Sequence, residues 1–102
     1  MKKLLAILLL ASSSAHGITG NELLASLENK EPGLQLYGIG FVTAIADITR
    51  NTLQCSPAVS TYGQAKDVVI KYMKENPETR HAEAFYIVAD ALRKTWPCKG
   101  DL

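Results

Sequence analysis

Cysteine, histidine and tryptophan are scarce: the 102 residues hold two, two and one of them. Two cysteines cannot complete a tetrahedral zinc site unaided, and the histidines, His16 and His81, add little to a ligand set. An excess of charge of one sign is also missing, with eleven Lys and Arg against ten Asp and Glu. Such a balance leaves no electrostatic footprint for nucleic acid or for an anionic membrane surface. Long apolar runs are lacking too. The run Leu4–Leu10 is too short to cross roughly 30 Å of hydrocarbon at about 1.5 Å per residue. There is no internal repeat, no low-complexity tract and no linker, so the length fits one domain.

What is present begins with an export signal. Met1-Lys2-Lys3 is a short basic start, Leu4–Leu10 an apolar centre, and Ala11-Ser12-Ser13-Ser14-Ala15 a tract of small residues. With Ser13 and Ala15 at the positions signal peptidase requires, cleavage is expected between Ala15 and His16. Residues 1–15 are then a removed signal peptide and residues 16–102 the mature domain. No cysteine stands at or just after the cut, so a lipid anchor has no support and the product is expected to be released. Loss of Lys2 and Lys3 leaves nine basic and ten acidic residues, a mature net charge of about −1. Export carries Cys55 and Cys98 into an oxidising compartment, where an even pair in a small domain predicts a disulfide. The alternative is two buried thiols. A bridge closing so long a loop would stabilise by roughly 4 kcal/mol on the chain-entropy argument.

The pattern predicts an all-α domain of four helices. Residues 16–20 read as a flexible leader. Thr19 with Glu22 is a capping box opening a helix over Asn21–Asn29, with Leu23, Leu24 and Leu27 on one face. Lys30-Glu31-Pro32-Gly33 reads as its stop. From Gln35 to Thr52, apolar residues point in nearly every direction of a 3.6 period, so this helix is expected to be buried on most sides. Gly38 and Gly40 weaken it, a cost expected to be offset by close approach of a neighbouring helix. Thr61 with Gln64 repeats the capping box and starts a third helix at Tyr62, its apolar face formed by Ala65, Val68, Val69, Tyr72 and Met73. Asn76-Pro77 is expected to end that helix and to cap the next, which runs from Pro77 to Trp96 with Ala82, Phe85, Ala89, Leu92 and Trp96 inward. Glu78 near its start and Arg93 and Lys94 near its end suit the helix dipole.

Catalytic chemistry is not evident. No motif sets a nucleophile beside a base on a strained turn, the carboxylates are scattered, and His81 has no partner as a general base. Gly38-Ile39-Gly40 lies within a helical pattern and cannot serve as a phosphate cradle. An amino-terminal His16 could ligate copper, but only His81 is available to assist. The expectation is a protein that binds another, with no catalytic residues, no metal and no cofactor.

The ordered pieces Gly38–Asp47, Cys55-Ser56-Pro57-Ala58-Val59-Ser60-Thr61-Tyr62-Gly63-Gln64, Val68–Met73, Asn76-Pro77-Glu78-Thr79-Arg80-His81-Ala82 and Trp96-Pro97-Cys98 resemble the Rap/Tai-type immunity proteins of bacterial type VI secretion. The resemblance implies a periplasmic antidote, helical, disulfide-bonded and often homodimeric. It would bind and block a toxic peptidoglycan amidase delivered by a neighbouring cell. The motif residues themselves read as structural. Contact with the amidase is expected from the loop Glu75-Asn76-Pro77-Glu78 and from the exposed third-helix residues Lys66, Asp67, Lys71 and Lys74. The competing readings are a small periplasmic stress chaperone, which would unfold and expose apolar surface in acid, and an accessory envelope protein without a toxin partner.

Overall fold

Two polar motifs fix where two of the helices begin. In the computed structural model, which describes residues 17–100, helix α1 spans Gly20–Leu27 and helix α3 spans Tyr62–Glu75. The Glu22 N–H donates to Thr19 Oγ1 (3.2 Å) and the Thr19 N–H donates to Glu22 Oε1 (3.1 Å). At α3 the Gln64 N–H donates to Thr61 Oγ1 (3.0 Å) and the Thr61 N–H to Gln64 Oε1 (2.8 Å). Each box satisfies two backbone donors that the helix geometry would orphan, for about 1 kcal/mol per cap.

Helix α2 spans Pro32–Thr49 and helix α4 spans Ala84–Thr95, with a 3₁₀ turn over Pro77–Thr79 between α3 and α4. Both helices depart from the sequence expectation at their starts. Pro32 does not merely stop α1; it is the first residue of α2, where its missing N–H has no partner to lose and its fixed φ suits the helix. The helix expected from Pro77 instead begins at Ala84. Residues 80–84 are engaged by the segment before α1: the Gly20 N–H donates to the Ala82 carbonyl, the Asn21 N–H to the Arg80 carbonyl and the Ala84 N–H to the Ile18 carbonyl. Ile18 and Thr19, expected in a flexible leader, thus pair with this stretch and keep it out of the helix. Asn76 also acts differently from expectation. Its side chain makes no cap to the following turn; Nδ2 donates back to the Tyr72 carbonyl and closes α3.

The four helices pack on one another around Leu23, Leu27, Val42, Ile45, Val69, Met73, Val88 and Leu92. No strand occurs among the described residues; Thr19–Glu83 and Arg50–Gln54 form isolated bridges only. The domain is therefore all-α, as expected. Gly38 answers to close approach: a Cβ there would lie 2.9 Å from Leu27 Cδ2 and 3.0 Å from Ser26 Oγ. Gly40 does not, since open space lies beside it. The expectation that α2 is buried on most sides is likewise corrected. Only Gly38, Val42, Ile45, Ala46 and Thr49 are buried, because α1, α3 and α4 all reach α2 from one side.

The connection from α2 to α3 is built around Gln54, which is fully buried. Its Nε2 donates to the Ala46 carbonyl (3.0 Å) and to Thr49 Oγ1 (3.2 Å), and its Oε1 accepts the Ser56 N–H (2.6 Å). Asn51 takes the left-handed φ of 67° that lets the chain double back onto Thr49. The next residue, Cys55, is bonded to Cys98, and its N–H donates to the Trp96 carbonyl (2.9 Å). The loop is thereby fastened to the end of α4. Gln54→Ala leaves the buried Ser56 N–H without its acceptor and removes both donations from Nε2, so a loss of about 2 kcal/mol is expected by urea denaturation. A loss under half of that would show that water replaces the amide.

Candidate functional site

Helix α3 presents Asp67, Lys71, Lys74 and Glu75 to solvent while Ala65, Val69 and Met73 enter the core. At about 100° per residue these four share one arc of about 100°, with Lys74 at one edge and Glu75 at the other. Lys71 and Glu75 flank α4. Lys74 faces α1, where its Nζ lies 2.6 Å from Glu28 Oε2. Both side chains of that pair are well exposed, so it contributes below about 1 kcal/mol, but it holds Lys74 away from the α4 side.

Between α3 and α4 lies an open groove of about 360 Å³. Lys71, Glu75 and Asn76 form its α3 wall with Val68 and Tyr72, and Ala91, Lys94 and Thr95 form the α4 wall. Lys94 Nζ sits 5.1 Å from the Tyr72 ring centre, a cation–π distance that keeps the ammonium at the groove mouth. The groove thus combines an apolar floor, two ammonium groups, one carboxylate and an amide. That composition suits protein recognition: an apolar centre excludes water and the charged rim sets orientation.

Of the residues proposed from sequence, Lys71, Glu75 and Asn76 come together in this groove. Glu78 is exposed on the adjoining 3₁₀ turn. Lys66 and Asp67 lie a turn or more earlier, paired at 3.8 Å, with Lys66 half-buried. Tyr72 and Lys94 were not proposed. Tyr72 reads as core from the spacing alone, and Lys94 as a dipole partner at the end of α4. Only the packing of α3 against α4 brings the two together.

A second, smaller depression of about 290 Å³ lies on the other side of α4, between Leu53, Phe85, Tyr86, Ala89, Asp90 and Arg93. Arg93 and Asp90 pair at its rim at 3.6 Å. Among the described residues no three His, Cys, Asp or Glu side chains gather as a metal site would require. His81 is exposed in the turn ahead of α4. Among the same residues no helix is long and apolar enough to cross a membrane. The expected signal peptide, residues 1–15, and the cut before His16 lie outside the described residues.

No curated protein matches the chain. The family model of the Rap1a immunity proteins matches residues 19–98. The matched span opens on Thr19, the residue that caps α1, and closes on Cys98, the second half of the disulfide, so it takes in all four helices and the staple. The chain belongs to the Rap1a immunity protein family.

Proposed function

We propose that this protein is the periplasmic antidote to a peptidoglycan amidase delivered by type VI secretion, acting by stoichiometric binding and not by catalysis. Membership of an immunity protein family implies an effector protein as partner. The finer reading, an amidase met in the periplasm after cleavage between Ala15 and His16, draws on the leader sequence and on the oxidised Cys55–Cys98 pair. The contact surface centres on the α3–α4 groove and the turn beside it. Lys71, Tyr72, Glu75 and Asn76 form its near wall, Lys94 its far wall and Glu78 its tip; Lys66, Asp67 and Lys74 lie at its margins. The observation that carries this reading is the rigidity of that surface. Helix α3 is boxed at its start and closed by Asn76 at its end, and α4 is tied by the disulfide. A surface ordered before binding loses little entropy on binding.

The test is a calorimetric titration of the oxidised protein into the product of the adjacent gene, followed by peptidoglycan hydrolysis assays. Binding at nanomolar Kd with loss of hydrolysis is expected, and no heat with no inhibition would end the reading. The combined Lys71→Ala, Glu75→Ala, Asn76→Ala and Lys94→Ala variant is expected to weaken binding at least about 100-fold, or roughly 3 kcal/mol. If affinity is unchanged, the effector sits elsewhere on the molecule.

A further inference from the structure

Five basic side chains stand on α3 and α4. Lys66, Lys74 and Arg93 lie 3.8, 2.6 and 3.6 Å from the carboxylates of Asp67, Glu28 and Asp90. Lys71 and Lys94 have no such partner among the described residues, and these two are the ones that line the α3–α4 groove. Glu75 stands one turn beyond Lys71 on the same wall, yet it forms no ion pair with either lysine. Lys94 is also held in place, its Nζ 5.1 Å from the centre of the Tyr72 ring. A lysine resting on a ring has given up rotamer freedom before any partner arrives, so less is lost when one binds. Val68, Tyr72 and Ala91 keep water from one side of the two ammonium groups, which strengthens their pull on an anion.

We propose that this groove takes an acidic side chain of the effector, its carboxylate set between Lys71 and Lys94 and its methylene groups against Tyr72. The inference rests on the effector reading above and names the chemistry of the group that the effector presents. Charge decides among the occupants. A basic side chain would meet two ammonium groups and a single carboxylate. An apolar one would strip water from both lysines and give them no counter-charge in return. A carboxylate accepts a charge-assisted hydrogen bond from each. Glu75 sets the direction, because it repels an incoming carboxylate from the Asn76 end and leaves it to the lysines. The same charges act before contact, so they raise the rate of association as well as the affinity, and salt weakens both.

The test measures affinity and association rate of the oxidised protein with the product of the adjacent gene, in about 50 to 500 mM sodium chloride. Affinity is expected to fall at least about 10-fold over that range, chiefly through slower association. Lys71→Gln and Lys94→Gln are each expected to weaken binding about 10-fold at low salt and to flatten the salt dependence, while Glu75→Gln tightens binding about 3-fold. Lys94→Arg keeps both the charge and the contact with the ring, and is expected to stay within about 3-fold of the native affinity. Both lysines are exposed, so the urea midpoints of these variants are expected to match that of the native protein. Tight binding that ignores salt and both glutamine variants would overturn the inference and leave the effector reading standing. Weaker binding by Glu75→Gln with none by the lysine variants would overturn it too, since the effector would then present a basic group. No binding by the native protein at any salt would end both.

Discussion

Cys55→Ser is expected to lower the unfolding free energy by about 4 kcal/mol, close to 20 °C in Tm for a domain of this size. The two cysteines are 43 residues apart in sequence, and the effect arises chiefly in the unfolded chain. Joining its ends over such a loop removes conformations that the reduced chain recovers. The folded state loses less, because the Cys55 N–H still donates to the Trp96 carbonyl and Gln54 still holds the loop to α2. Small domains have about 5–15 kcal/mol in all, so reduction would leave little margin. The check is urea denaturation of Cys55→Ser beside the native protein with and without reductant. The variant and the reduced protein should share a midpoint well below that of the oxidised form. Equal midpoints for all three would mean that the bridge contributes nothing to stability. A stability that appears only on oxidation also accords with function outside the cytoplasm.

The parts of the fold legible in sequence were those decided within a few residues. Thr19 and Glu22, or Thr61 and Gln64, meet their own backbone three positions away, so the starts of α1 and α3 follow from the local motif. The disulfide was legible from the cysteine count together with the expectation of export. Where distant backbone intervenes, the local reading failed. Pro32 is equally suited to follow one helix or to open the next, and the fold chooses the second use. Pro77 could have opened a long helix, but the Arg80 and Ala82 carbonyls accept from Asn21 and Gly20, the Ala84 N–H donates to Ile18, and α4 starts only at Ala84.

The candidate surface divides along the same line. That Lys71 and Glu75 are exposed follows from helical periodicity. The diversion of Lys74 to Glu28, and the placing of Lys94 over Tyr72, depend on which helices become neighbours. Nor does periodicity tell how many sides of α2 one chain can cover: the apolar circumference was plain, while the bare side is a property of the packed monomer.

Gly20→Ala is expected to cost about 3 kcal/mol, although alanine is the better helix former by up to about 1 kcal/mol. A Cβ at residue 20 would lie 2.4 Å from Ile87 Cδ1 and 2.9 Å from the Arg80 carbonyl oxygen. Ile87 is buried in the core and has little room to turn aside. The Arg80 carbonyl is held by the Asn21 N–H at 2.9 Å, and the Gly20 N–H itself donates to the Ala82 carbonyl at 2.9 Å. Relief of the clash must therefore break or lengthen the bonds that seat the chain before α1 against the start of α4. Gly38→Ala is the control. Its new methyl meets only the side chains of Leu27 and Ser26, at 2.9 and 3.0 Å, and no backbone atom, so a smaller loss of about 1 kcal/mol is expected there. Urea denaturation of the two variants separates the cases, and equal losses would show that residues 80–82 yield as readily as a leucine side chain. The strain at Gly20 also has a direction. Arg80 follows the turn Pro77–Thr79, whose Thr79 N–H donates to the Asn76 carbonyl, so a displaced Arg80 pulls on the edge of the α3–α4 groove. Gly20→Ala is thus expected to weaken effector binding more than Gly38→Ala does at temperatures where both remain folded, and the same calorimetric titration reads the difference.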